Sequence, residues 1–182
     1  MRPSVTLCGG AYRSPVLKLD GHIRKENIRR YLLQCSLAGA VVFVLLTVMD
    51  AVTQTVLIAS LGASAFIAFA VPLSLHSSPK HMIGGYIVGI LAGGTMSYLN
   101  SSLDVSIPFV ENAAMIVFGA LATSLAMFFM VVTKTEHPPA AALALGLVLN
   151  EWDLLTIGVV MAGIIGLSIF KRMVLPLLMD LL

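Results

Sequence analysis

Lys134, Glu136, His137, Pro138 and Pro139 fall within six residues of one another, inside the stretch TKTEHPPAAAL, Thr133 to Leu143. On both sides the chain is strongly apolar. Proline is favourable at the first helical position because its missing N–H would be unpaired there anyway, so His137-Pro138-Pro139 is a hard helix start. A helix N-terminus presents free N–H groups and partial positive charge, which suits a small anion. The small residues Ala140, Ala141 and Ala142 leave that end open to close approach, and His137 adds a donor that titrates near physiological pH. The expectation is a substrate site at His137, Pro138, Pro139 and Ala140; the alternative is a histidine that only caps the helix or bonds a loop. Gly62-Ala63-Ser64, in an earlier apolar run, would complete the site as a thinned or unwound helix, or else serve close helix packing.

His76, Pro79, Lys80, His81, Lys134 and Glu136 fall on one side of the apolar runs and would line a positive vestibule or gate. Lys134 also suits an anchor reaching for the lipid headgroups, and Glu136 either pairs with it or relays a proton. The spacing of His76, His81, Glu136 and His137 fits no metal-ligand pattern, so neither a metal nor a cofactor is expected. No Ser–His–Asp set, phosphate loop or intramembrane carboxylate pair is present, and no enzymatic function is expected.

The elements that position these residues must sit in lipid. Of 182 residues 58% are hydrophobic and only 11% charged, with a mean hydropathy of +0.97, where a soluble domain carries roughly a quarter charged residues. An all-α, polytopic membrane protein follows. A crossing helix needs about 20 apolar residues, and five runs come near that: Leu32–Met49, Thr55–Leu75, Met82–Leu99, Ala113–Thr133 and Leu154–Phe170. A sixth, Pro138–Asn150, is short or broken. Six crossings with a cytoplasmic N-terminus put all eleven Lys and Arg inside, and only Asp50, Asp104, Glu111, Glu151 and Asp153 in the outer gaps. That is the positive-inside pattern, and it places both termini in the cytoplasm of a multi-pass cell (inner) membrane protein. Residues 1–30 read as a basic cytoplasmic segment with an interfacial helix against anionic lipid, and 31–178 as the transmembrane domain. Cys8 follows no secretion-signal core and is not expected to carry a lipid; Cys35 is expected as a buried free thiol.

Two stripes of small residues, Gly85-xxx-Gly89-xxx-Gly93 and Gly158-xxx-Ala162-xxx-Gly166, are offset by 73 positions at every member. With three crossings per unit, an odd number that turns the second copy over, they suggest two inverted three-segment repeats, a plan that places transporter sites at the repeat interface on discontinuous helices. The same stripes read as packing faces, one of them a contact between copies in a homo-oligomer.

The segments LGASAFIAFAVP, SSPKHMIGG and TKTEHPPAAALAL, in that order and spacing, resemble the signatures of the HPP family of integral membrane proteins. The resemblance covers roughly Tyr31 to Leu178 and singles out Gly62, Ala63, Ser64, Pro79, Gly84, Gly85, His137, Pro138 and Pro139. Ala141 stands where the family often has Gly, and no regulatory CBS pair is present. The family is usually described with four spans; the charge pattern here favours five long helices plus the short one. Its cyanobacterial and plastid members are linked to nitrite transport, so the resemblance implies a transporter or channel for a small inorganic anion, nitrite first. The partners implied are that anion, membrane lipids and further copies of the chain, not nucleic acid. A membrane scaffold or sensor, or a channel for another small solute, is the alternative.

Overall fold

The computed structural model describes residues 28–48, 55–103, 108–178 and 180. All regular structure among them is helical: α1 (Ile28–Val48), α2 (Thr55–Ala70), α3 (Pro79–Ser101), α4 (Pro108–Thr133), α5 (Pro138–Leu149) and α6 (Leu154–Val174), with 3₁₀ turns at Leu75–Ser77 and Leu175–Leu177. Proline sets several of these limits. α3, α4 and α5 each begin on one, where no N–H is needed. Pro72 lies two residues past the end of α2, a position that biases Val71 away from helical backbone. At the start of α6 the Asp153 carboxylate caps the helix, accepting from the Thr156 N–H at 2.7 Å. Asp153 is fully exposed, and its bonds to the Thr156 side chain and backbone hold its pKa below the usual carboxylate range.

Among the described residues three helices are long and apolar enough to cross a membrane, Pro79–Ser101, Pro108–Thr133 and Leu154–Leu177, and not the five long ones expected; Leu32–Phe43, Leu57–Ala70 and Pro138–Leu149 are shorter apolar stretches. α2 has 16 residues and not the 21 of the Thr55–Leu75 run, because the run continues apolar through Pro72 while the helix cannot. The interfacial helix expected within residues 1–30 lies outside the described residues up to Ile28, as does Cys8. Cys35 is a free thiol but exposed on α1, not buried.

The helices alternate in direction. Gln34, near the start of α1, donates to the Phe69 carbonyl near the end of α2. Lys171, near the end of α6, reaches Ser77 just before α3. Thr135 and His137 face Gly84 and Gly85 near the start of α3. Trp152, just past α5, donates to Ser97 and covers Gly94 near the other end of α3. The Lys134 and Trp152 ends of α5 therefore lie at opposite ends of the bundle. His76, Lys80, His81, Lys134 and Lys171 gather at the first end; Asn150, Glu151 and Asp153 follow α5 at the second.

At 1.5 Å per residue α5 covers about 18 Å, and irregular links at 134–137 and 150–153 continue from its two ends. Lipid tolerates such backbone only where protein satisfies it. The Thr135 N–H bonds Met130 O at 2.9 Å and the Lys134 N–H bonds Val131 O at 3.2 Å, a Schellman ending. It forces Lys134 into left-handed backbone, φ 54°, where glycine is the usual occupant. At the far end the Asn150 N–H and side-chain amide both donate to the Gly146 carbonyl.

α5 sits among α2, α3 and α4 and buries Leu143, Ala144 and Leu147. Gly85, Gly89 and Gly93 make that approach possible. A methyl at Gly89 would lie 2.5 Å from the Ala140 carbonyl oxygen, and one at Gly93 2.6 Å from that of Ala144. The α6 stripe does something else: Gly158 and Gly166 have nothing within 4 Å and, with Ala162, are exposed. Among the described residues nothing packs against it. The outer faces of α4 and α6 carry exposed Phe109, Ile116, Leu121, Phe128, Leu155 and Ile169, apolar surface that lipid, not water, accommodates.

Candidate functional site

A polar cluster lies inside the apolar bundle about 10 Å along α3 from its start. Ser60 and Ser64 come from α2, Tyr86 from α3 and His137 from the link before α5. Ser64, Tyr86 and His137 are 0%, 0% and 1% exposed. Ser64 Oγ is 2.8 Å from His137 Nε2, 2.9 Å from the Tyr86 hydroxyl and 3.0 Å from the Ser60 carbonyl oxygen. The Tyr86 hydroxyl also reaches Ser60 Oγ at 3.3 Å, and the Tyr86 and His137 rings lie 5.7 Å apart. His137 Nδ1 donates to the His76 carbonyl at 2.8 Å. A carbonyl can only accept, so Nδ1 carries the proton and Nε2 of the neutral ring is an acceptor.

The loop between α2 and α3 closes the cluster from the Lys134 end. His76 Nδ1 donates to the Glu136 carbonyl at 2.8 Å, while the His76 carbonyl accepts from His137. Loop and link thus hold each other through two reciprocal bonds. Ser77 anchors the loop internally through Pro72 and Ser74 carbonyls. From α6, the buried Lys171 ammonium donates to the Ser77 carbonyl and, at 2.8 Å, to its hydroxyl. His81 joins Ser78 Oγ at 2.7 Å and faces the Glu136 carboxylate at 3.6 Å. Among the described residues no group of three or more His, Cys, Asp and Glu converges as metal ligands would.

Over residues 23–178 the sequence matches the family described as HPP, transmembrane region. The chain belongs to the HPP transmembrane family. Two transmembrane proteins of Dictyostelium discoideum are similar to it. One is 35% identical over 101 residues, 53% of this chain and 31% of that protein. The other is 37% identical over 89 residues, 49% of this chain and 26% of that protein. This HPP chain thus aligns with less than a third of either relative's length. No solved structure matches it.

Of the expected substrate residues, the HPP fold brings Ser64 and His137 into direct contact. Gly62 is half-buried with open space beside its Cα, and Ala63 faces outward; neither joins the cluster, because α2 runs on without unwinding. The helix start holds no free amides. Pro138 and Pro139 have no N–H, and the Ala140 N–H is taken by the His137 carbonyl at 2.9 Å. Side chains, not the backbone tip, are the available donors. Of the vestibule residues, His76 and Glu136 sit in the latch, whereas Pro79, Lys80 and Lys134 are exposed at the bundle end. Tyr86, Ser60, Ser77 and Lys171 were not singled out from sequence. Tyr86 follows Gly85 by one residue, the one available clue; nothing local marks the other three.

Proposed function

We propose that this HPP protein is a membrane carrier for a small inorganic monoanion, bound by the Ser64 and Tyr86 hydroxyls and His137. The observation that carries this reading is a fully buried cluster of three converging polar side chains inside an apolar bundle. Buried polar groups are costly in such surroundings, and within membranes they mark substrate and ion pathways. In the closed conformation the three side chains satisfy one another, Nε2 of His137 as an acceptor, with no room between Ser64 and His137. An occluded site of this kind suits a carrier that opens and closes, not a standing pore.

The latch of His76, Glu136 and Lys171 is placed to gate the site from the cytoplasm, with both termini on that side of a cell (inner) membrane. Lys and Arg gather at the Lys134 end among the described residues, which supports this orientation. Two inverted three-helix units are the repeat plan consistent with α1 lying on α2 as α4 lies on α5, although the close contact of α3 with α4 has no α6–α1 counterpart among the described residues. The outward small-residue stripe of α6 suits a contact between copies.

Nitrite is the first anion to test, since the family resemblance implies it. Purified protein in liposomes is assayed for uptake of nitrite, nitrate, chloride and bicarbonate. The expected result is saturable nitrite uptake that Ser64→Ala and Tyr86→Phe each reduce. Uptake of other anions alone removes nitrite and keeps the carrier; no uptake of any anion favours a membrane scaffold or sensor.

A further inference from the structure

We propose that His137 carries one proton together with each anion, Nε2 taking the proton while the Ser64 hydroxyl turns from Nε2 to the Ser60 carbonyl, so that transport is an electroneutral anion–proton symport. This rests on the carrier reading above and adds the coupling ion to it.

The hydrogen-bond geometry accommodates both protonation states without moving a side chain. In the neutral state Ser64 donates to Nε2 at 2.8 Å and accepts from Tyr86 at 2.9 Å. With a proton on Nε2 the first bond reverses. Ser64 then accepts from both Nε2 and Tyr86, and its own proton goes to the Ser60 carbonyl, already 3.0 Å away. A hydroxyl donates once and accepts twice, so Ser64 is saturated in that state. Nδ1 keeps its bond to the His76 carbonyl in both. No polar atom loses a partner, and the only change is one hydroxyl rotation.

Charge explains why an anion must come too. The titratable groups facing His137 are Tyr86 and His81 from α3, His76 from the loop and Glu136 from the link; Lys171 from α6 stands behind Ser77. Glu136 is turned to His81, and among the described residues no carboxylate pairs with His137. An imidazolium closed into this site alone is an unpaired buried charge, which is strongly unfavourable. When the site opens, a monoanion that replaces the Ser64 hydroxyl as acceptor of the Nε2–H and Tyr86 O–H bonds cancels the charge. Proton and anion therefore make each other's burial possible, in equal number.

The test uses the full chain in liposomes loaded with a pH-sensitive dye, with membrane potential clamped by potassium and valinomycin and empty liposomes as the reference for nitrous acid leak. An imposed nitrite gradient is expected to acidify the lumen by one proton per nitrite, at a rate indifferent to potential. His137→Gln abolishes the proton movement. Nitrite flux that follows potential and leaves lumenal pH unchanged overturns the symport and leaves the carrier standing. In parallel, ¹⁵N-histidine NMR in nanodiscs follows the His137 resonance, assigned by its loss in His137→Gln. Uptake of a proton at Nε2 on acidification, displaced in Ser64→Ala, supports the proton site. A resonance that titrates identically in Ser64→Ala, or never gains a proton at Nε2, overturns it. If no anion moves at all, the carrier reading fails and the symport fails with it, while the NMR still decides whether His137 and Ser64 share a proton.

Discussion

Replacing Gly89 by alanine tests whether α5 is held by a backbone-to-backbone approach on α3. The added methyl lies 2.5 Å from the Ala140 carbonyl oxygen, about 0.9 Å short of ordinary contact at 3.4 Å. The obstacle is main chain on an adjoining helix, so no side-chain rotation relieves it. Overpacking of this kind costs about 1–3 kcal/mol. Alanine is otherwise favoured over glycine inside a helix by about 1 kcal/mol. At Gly158 and Gly166, with nothing within 4 Å, only that gain remains. Gly89→Ala and Gly93→Ala are therefore expected to destabilise, and Gly158→Ala and Gly166→Ala to be neutral or stabilising. The assay is denaturant unfolding of the monomeric protein in detergent, followed by fluorescence of Trp152, the chain's single tryptophan. Equal losses at all four positions, or none at Gly89 and Gly93, refute the reasoning.

Other expectations follow from the same contacts. Lys134→Gly relieves left-handed backbone that costs about 1–2 kcal/mol in a side-chain-bearing residue and should raise the unfolding midpoint; an unchanged or lower midpoint contradicts the strain. Ser77→Ala removes an acceptor from the buried Lys171 ammonium and should destabilise by about 1–3 kcal/mol, whereas Lys171→Met removes the charge as well and should cost less in thermal melts. Gly166→Leu should weaken chemical cross-linking between copies in membranes while leaving the monomer's melt in place.

Much of the architecture was legible in the sequence because lipid imposes simple rules. Hydropathy gave the helical class, and the sidedness of Lys and Arg gave six alternating segments with α5 running from the Lys134 end to the Trp152 end. The twin prolines marked the start of α5 to the residue. Helix lengths were less legible: hydropathy runs straight through Pro72, but the backbone hydrogen bonds of α2 do not. The site was half visible. Ser64 and His137 stood out by type, yet free amides at the Pro138 tip were expected where two prolines and the His137 carbonyl leave none. Tyr86 and Lys171 were missed because their roles depend on which helices adjoin. Nothing in the residues next to Tyr86 or Lys171 shows that Ser64 or Ser77 will stand opposite. The two small-residue stripes look alike in sequence and differ only in having, or lacking, a neighbour.

Site, gate and coupling all require the short α5 to carry the chain through the bilayer. Single cysteines at Lys134 and Glu151, in a background with Cys8 and Cys35 changed to serine, are labelled with a membrane-impermeant maleimide in intact cells and in inverted vesicles. Lys134→Cys is expected to react only in inverted vesicles and Glu151→Cys only in intact cells. Labelling of both from one face would contradict the crossing.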